Sequence, residues 1–329
     1  MLLLNSEITD PYFNLAMEEY FLKTCSEDMF FLWRNESSII IGRNQNTINE
    51  INQKYIEKNN IPVVRRLSGG GAVFHDLGNI NFTFLSPDNL KDFNNFKKFT
   101  TPIINMLHSM GINAEFTGRN DITIEGRKIS GNAQCSYKNR IMHHGTLLFS
   151  SNVADISNAL NVSTSKLKSH GVASVSSRVT NISSYLNNKL TVREFMDKLC
   201  KYIADNNSDT KLYFLTEYDI KQIKTLVKDK YSTWLWNYGH SPKYTYTSSL
   251  KYPGGTIEFT FAVINGCISK IKLYGDFFGE KAVSELETLI TGTIHDKAAL
   301  KASLEDININ DYFEGLSLDE FINALVGQS

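Results

Sequence analysis

Cysteine is scarce and scattered. The 329 residues contain four, Cys25, Cys135, Cys200 and Cys267, with no CxxC pair and no histidine nearby at metal-ligand spacing. That argues against a disulfide framework and against a zinc site. Net charge is lacking as well: 34 Lys+Arg stand against 35 Asp+Glu, a formal net charge of -1. No global field recruits nucleic acid or an anionic membrane, so any basic site is local. Long apolar runs are missing too. The three leucines of MLLLNSEITDPY give way at once to polar residues, too few for a signal peptide or a membrane span. The expectation is a soluble, cytoplasmic protein with neither nucleic acid nor membrane as partner, and monomer as the default state. Asparagine is abundant but interspersed with apolar residues, so it forms no low-complexity tract.

What is present is a globular composition, 42% hydrophobic and 21% charged, long enough for two unequal domains. Asp10-Pro11 starts an amphipathic helix over 11–24, whose apolar face should pack on a sheet. MFFLWR (29–34) and SSIIIGR (37–43) read as a hairpin of buried strands, 49–60 as a second helix and 61–64 as a short strand. A strand follows at 79–85, and Thr101-Pro102 opens a helix that Gly111 ends. The segment 121–130 reads as a hairpin around Glu125-Gly126, and 143–150 as a further strand; helices are expected at 192–205 and 217–229. The polar stretch 237–252 reads as a linker. Beyond it, alternating runs around Asn265-Gly266 and helical periodicity in VSELETLITG form a small α+β module. No internal repeat is present.

RRLSGGGAVFHD (65–76) carries three consecutive glycines after two arginines. Neither the P-loop nor the dinucleotide fingerprint fits, because a strand rather than a helix follows. Successive glycines can turn several N–H groups toward one anion, and Arg65 or Arg66 can add paired donors. A tight β-turn with surface arginines explains the same residues equally well. In GRNDITIEGRKISGNAQ (118–134), Lys128 points to the strand face opposite Arg127 and Ile129; alone, such a lysine is ordinarily solvated surface. His143 and His144 point to opposite faces, so a shared metal is not expected. Trp33 lies in an apolar strand, where a tryptophan is more often core than ligand wall. Asn120 and Asp121 form a pair able to hold a cation. The constellation suits nucleotide chemistry without naming a substrate.

These residues resemble the lipoate–protein ligases of the LplA type. The likeness runs in order through DPYFNLAMEEYFL, LWRNESSIIIGRNQN, RRLSGGGAVFHDLGNINFTF, GRNDITIEGRKISGNAQ, HHGTLLF and SVSSRVTNIS to GDFF. Biotin–protein ligases share the fold ancestry, but their Gly-Arg-rich adenylation motif is missing. The resemblance implies an α+β fold: a large catalytic domain (1–244), with a mixed sheet and flanking helices as in class II synthetases and biotin ligases, and a small α+β accessory domain (245–329). It implies two half-reactions. Lipoate and Mg-ATP give lipoyl-AMP, and a lysine of an apo carrier, either glycine cleavage H protein or an E2 lipoyl domain, then takes the lipoyl group. It assigns Lys128 to the acyl carbonyl and phosphate, and Asp121 to Mg²⁺. Arg66, Ser68, Gly69, Gly70, Gly71, Phe74, His75, Asn79 and Asn120 fall to the adenylate, and Trp33, Val73 and His144, preferred over His143, to the apolar lipoate tunnel. Arg178 is either an internal ion-pair partner or a substrate contact. The resemblance also implies a C-terminal domain that swings about 237–252 between half-reactions. Two rivals remain: an ATP-independent octanoyl or lipoyl transferase working through a Cys135 thioester, and a lipoate or carrier-domain binder without chemistry.

Overall fold

In the computed structural model, which describes all residues except 46, 88–92, 161–177, 239–245, 265–266, 296 and 327–329, the chain divides into two units. The first comprises Met1–Ile41, Asn49–Arg66 and Ala72–Asn237, and the second Gly42–Ile48, Leu67–Gly71 and Tyr238–Ser329. In chain order the strands of the first unit are β1 (Leu2–Asn5), β2 (Met29–Trp33), β3 (Ser38–Ile41), β4 (Val63–Arg65), β5 (Val73–His75), β6 (Asn79–Pro87), β7 (Ala114–Thr117), β8 (Asp121–Ile124), β9 (Arg127–Tyr137), β10 (Arg140–Leu148) and β11 (Lys211–Leu212). Eight make one mixed sheet in the order β11-β1-β2-β6-β10-β9-β8-β7, and β4-β3-β5 make a small second sheet.

β1 and β2 are parallel, so the chain crosses between them through the helix Pro11–Thr24. Pro11 supplies a preset φ at its first turn, and the Asp10 carboxylate accepts the N–H of Tyr12 at 2.8 Å. This helix departs from the amphipathic expectation: it is buried nearly all round, including Glu18 and Glu19. Glu19 accepts from Lys230 Nζ at 2.6 Å and the Tyr231 hydroxyl at 2.7 Å, so the helix carries neighbours on more than its sheet face. The other face of the sheet holds the main core. There Phe30, Leu32, Ile80, Phe82 and Leu147 pack with Ile103 and Leu107 of the helix Phe96–Ser109 and with Phe195 and Leu199 of Val192–Asp205.

Several local expectations change. The runs at 29–34 and 37–43 form no hairpin: β2 joins the large sheet and β3 the small one, because buried Asn35 is held between Asn14 and His75 and turns the chain away. The helix expected at 49–60 is two short ones, Thr47–Glu50 and Gln53–Lys58, with the Asn52 side chain capping the second. The helix expected to open at Thr101-Pro102 begins at Phe96 and contains Pro102; burying Phe96, Phe99 and Thr100 of the added turn outweighs one lost backbone hydrogen bond. The helix expected at 217–229 is Glu217–Leu226 followed by a wider π turn, Val227–Tyr231. The turn at Glu125-Gly126 is as expected, with φ of 51° and 74°, both left-handed, as a two-residue hairpin of the mirror type I kind requires.

In the second unit β12 (Tyr246–Tyr252), β13 (Gly255–Ile264) and β14 (Cys267–Gly275) form an antiparallel sheet. β12 occupies much of the stretch expected as linker: its polar residues Thr247, Ser249 and Lys251 leave one face to solvent, which composition alone does not distinguish from a loop. The expected Asn265-Gly266 turn lies outside the described residues. The helices Ser284–Ile290, Lys297–Ser303 and Leu318–Leu325 cover the sheet around Phe259, Phe277, Phe313 and Phe321. Among the described residues no helix is long and apolar enough to cross a membrane.

Candidate active site

Sheet register in the first unit lines up five residues on one face. Asp121 of β8 lies opposite Gly131 of β9, and Gly131 donates its N–H to the Thr146 hydroxyl of β10 at 3.2 Å. Thr146 lies opposite Asn81 of β6, and Asn81 opposite Trp33 of β2. Residues directly opposed share a face, so this row runs from an acidic end to an aromatic one. Lys128 joins it at the acidic end. Its Nζ lies 2.7 Å from Asp121 Oδ1, and a Cβ added to Gly131 would meet that Nζ at 3.0 Å. The glycine leaves room for the ammonium to fold back over β9, where an irregularity between Ile122 and Thr123 sets Lys128 opposite Thr123. Asn120 braces the approach to Asp121, donating Nδ2 to Asn132 O at 2.6 Å and accepting the Asn132 N–H on its own carbonyl at 2.9 Å.

Two residues along the strands, His144, Thr83 and Phe31 form a second row on the same face. The buried Glu18 carboxylate accepts from Thr83 Oγ1 at 2.7 Å and lies 2.8 Å from His144 Nδ1. Trp33 Nε1 donates to Thr83 Oγ1 at 3.0 Å, so one buried chain of bonds fixes the indole and the imidazole together. A carboxylate at Nδ1 keeps a proton there. His143 lies on the opposite face, its ring stacked on Phe99 at a centroid distance of 4.9 Å.

His75 ends β5 with its ring centroid 6.1 Å from that of Trp33. Asn14 Nδ2 donates to Asn35 Oδ1 at 3.0 Å, which turns Asn35 Nδ2 toward His75 Nδ1 at 3.1 Å. The His75 proton therefore sits on Nε2, a buried atom with no hydrogen-bond partner. Burial first, then the Arg66 charge and then His144, lowers the His75 pKa to about 3. Arg66 is itself buried; desolvation lowers its pKa to about 10, opposed by the Glu18 carboxylate, so it remains a cation at neutral pH. Its Nη1 donates to Ile40 O at 3.1 Å. Asn79 donates Nδ2 to Asn81 Oδ1 at 3.1 Å, leaving Asn79 Oδ1 and Asn81 Nδ2 buried without partners. Unpartnered buried polar atoms are rare in folded proteins, so these three are atoms whose partner a bound molecule or a water would supply.

The remaining expected residues fall in different places. Val73 is half-buried on the His75 side of β5, whereas Phe74 is buried on the other side, opposite Ile39. Arg65 is a brace: its guanidinium donates to the Trp236 and Asn237 carbonyls at 3.0 and 3.2 Å. Ser68 and Gly69–Gly71 group with the second unit. There Gly70 has a φ of 90°, and a Cβ on Gly69 would lie 2.4 Å from Phe277 O, so both positions need glycine for backbone reasons. Arg178 is half-buried beside the undescribed residues 161–177. Glu18 and Asn81 were not anticipated. Each left a faint signal: a Glu pair inside an apolar helix, and a second Asn two residues after Asn79, hence on the same strand face.

His75 and His143, both held below 6.5 chiefly by burial, set a pH dependence of stability. Between the folded and unfolded pKa values only the unfolded chain takes the proton. Stability from this source is complete above pH 6.5 and falls as the pH drops below it, by at most about 1.4 kcal/mol per pH unit for each histidine. Urea midpoints should decline from pH 7.5 to 5, and His75→Gln should flatten the slope. An unchanged slope would show that His75 is protonated in the fold.

A family model for the lipoyl protein ligase A/B catalytic domain matches residues 10–204, and one for the bacterial lipoate protein ligase C-terminus matches 241–325. The class is thus that of the lipoyl protein ligases A/B. LplJ, the lipoate-protein ligase of Bacillus subtilis, is 46% identical over 325 residues, 98% of each chain. The crystal structure of P. falciparum LipL1 in complex with lipoate matches with a TM-score of 0.82 at 27% identity, covering 99% of this chain and 98% of that one. A lipoate-protein ligase A bound with ATP matches with a TM-score of 0.61 at 26% identity, over 72% of this chain and 98% of its own. The chain belongs to the lipoate–protein ligase family.

Proposed function

We propose that this lipoate–protein ligase uses ATP to convert lipoate to lipoyl-AMP and then transfers the lipoyl group to a lysine of apo carrier proteins, glycine cleavage H protein and E2 lipoyl domains among them. The observation that carries the site assignment is the Lys128–Asp121 pair at the head of a sheet row that ends at Trp33. In the first half-reaction a carboxylate oxygen attacks the α-phosphorus of ATP and pyrophosphate leaves. Two anions must meet there, which calls for fixed donors: the Arg66 guanidinium, the His75 Nε2–H and the Lys128 ammonium. In the second, an acceptor amine attacks the acyl carbon, the C–O bond to AMP breaks and the amine loses its proton. Lys128 then donates to the oxygen on which charge builds. Phe74 packs on the far side of β5, opposite Ile39, while Val73, Trp33 and His144 wall the acyl slot.

Asp121 suits Mg²⁺, because a single carboxylate beside an anionic substrate is the usual protein share of such a site, with phosphate and water oxygens completing it. The ion would neutralise phosphate charge. We assign catalysis to residues 1–244 and an accessory role to 245–329, a reading supported by family matches that stop at 204 and resume at 241. Among the described residues no disulfide joins the four cysteines, which suits the reducing cytoplasm.

The test is pyrophosphate release and lipoyl-AMP formation from lipoate and Mg-ATP, with and without apo H protein. Adenylate that accumulates alone and is consumed on adding the acceptor is expected; no ATP turnover in either case would overturn the reading. The thioester route is disfavoured by position. Cys135 is buried and lies four residues beyond Gly131 on β9, about 13 Å along an extended strand. Cys135→Ser should keep ATP-dependent ligation near the wild-type rate, and its abolition would point to an acyl-cysteine.

A further inference from the structure

We infer that Asn81 is a specificity-determining residue that selects a sulfur-bearing acyl tail over a plain hydrocarbon one. The inference rests on the proposed placing of the substrate, with its carboxyl end at Lys128. Asn81 is 2% exposed, and its Nδ2 has no partner, while its Oδ1 is engaged by Asn79 Nδ2 at 3.1 Å. That bond fixes which way the amide faces. In the row it stands between Thr146 and Trp33, two strands from Gly131, over which the Lys128 ammonium lies. Two strand spacings are about 10 Å, comparable to a medium-length acyl chain laid across the sheet. A substrate with its carboxyl at Lys128 and its tail at Trp33 therefore brings its far end to Asn81.

An amide N–H in that position distinguishes tails by what they offer it. A saturated hydrocarbon laid against the N–H gives no acceptor and leaves the buried donor unsatisfied, which is the costly outcome. The dithiolane of lipoate brings polarisable sulfur atoms, weak acceptors of nearly the same bulk. The hydrocarbon is thus penalised while the dithiolane fits, and the size of the slot need not differ for the two. Trp33 and Thr83 contribute nothing to this choice, since the indole N–H and the hydroxyl are bonded to Thr83 Oγ1 and to Glu18.

The experiment compares kcat/KM for pyrophosphate release with lipoate and with octanoate, in wild type, Asn81→Leu and Asn81→Ala. Wild type should favour lipoate, and Asn81→Leu should raise octanoate relative to lipoate by about tenfold. Because both acids use the same folded protein, damage to folding lowers both rates and cancels from the ratio; Asn81→Ala supplies the ratio if the leucine variant is too unstable to purify. A ratio that stays within about twofold of wild type in both variants would overturn the inference while leaving the ligase intact, and would assign the amide to a structural water. No turnover of either acid by wild type would overturn the ligase reading, and this inference with it.

Discussion

Lys128→Ala is expected to lower single-turnover transfer from lipoyl-AMP to apo H protein by about 10²–10³, with little change in lipoate binding. Gly131 leaves room for the lysine Nζ at the head of the row, where an added Cβ would crowd it at 3.0 Å, and Asp121 holds it there at 2.7 Å. Charge appears on the acyl oxygen only as the amine attacks, so a donor fixed in advance lowers the barrier more than it strengthens ground-state binding. Stability should hardly move. Both partners of the ion pair are more than a third exposed, and such pairs contribute at most about 1 kcal/mol. Lys128→Arg should not rescue the rate, because a planar guanidinium cannot replace a compact ammonium folded over β9. Unchanged transfer kinetics in the alanine variant would remove Lys128 from the mechanism, and would favour a binder without chemistry if wild type were also inactive.

Arg66→Met is expected to damage both adenylation and folding. Arg66 is a buried cation whose charge is favoured by the Glu18 carboxylate, so its removal leaves that carboxylate buried with less compensation and should lower stability. Pyrophosphate release should fall at least 10²-fold if Arg66 supplies the donors proposed for phosphate. Arg66→Lys separates the two effects: it keeps the charge beside Glu18 and should recover part of the stability, but it lacks the planar fork and should recover little of the rate. Arg66→Met should also let the His75 pKa rise, since Arg66 is second only to burial in holding it down. Measured urea midpoints, adenylation rates and the His75 titration together decide the assignment. An Arg66→Met protein that is as stable and as fast as wild type would make this arginine a bystander.

Much of the local structure is legible in the residue order. Asp10-Pro11 marks a helix start because a carboxylate caps the free N–H groups and proline presets the first turn, and the helix begins there. Glu125-Gly126 marks a hairpin, and both residues adopt left-handed φ. His143 and His144 separate to opposite faces because consecutive strand residues must. Other elements were hidden. β2 and β3 look alike as apolar runs, and only the Asn14–Asn35–His75 contacts send them to different sheets. Phe96–Ser109 runs through a proline because side chains distant in sequence reward its burial. Glu18 and Asn81 could not be ranked above ordinary polar residues, since nothing local tells a buried carboxylate or amide from an exposed one.

By itself the sequence determined the family, the helix starts, the hairpin turn, the face of each strand residue and the glycine block, all of which depend on neighbours a few positions away. The tertiary structure alone decided which strands pair. Asp121, Gly131, Thr146, Asn81 and Trp33 come together from five strands only through register, and register is set by burying one whole face of the sheet at once. For the same reason it decided that Arg65 braces a carbonyl pair while Arg66 faces Glu18: two adjacent, chemically identical residues differ only in what the fold places opposite them.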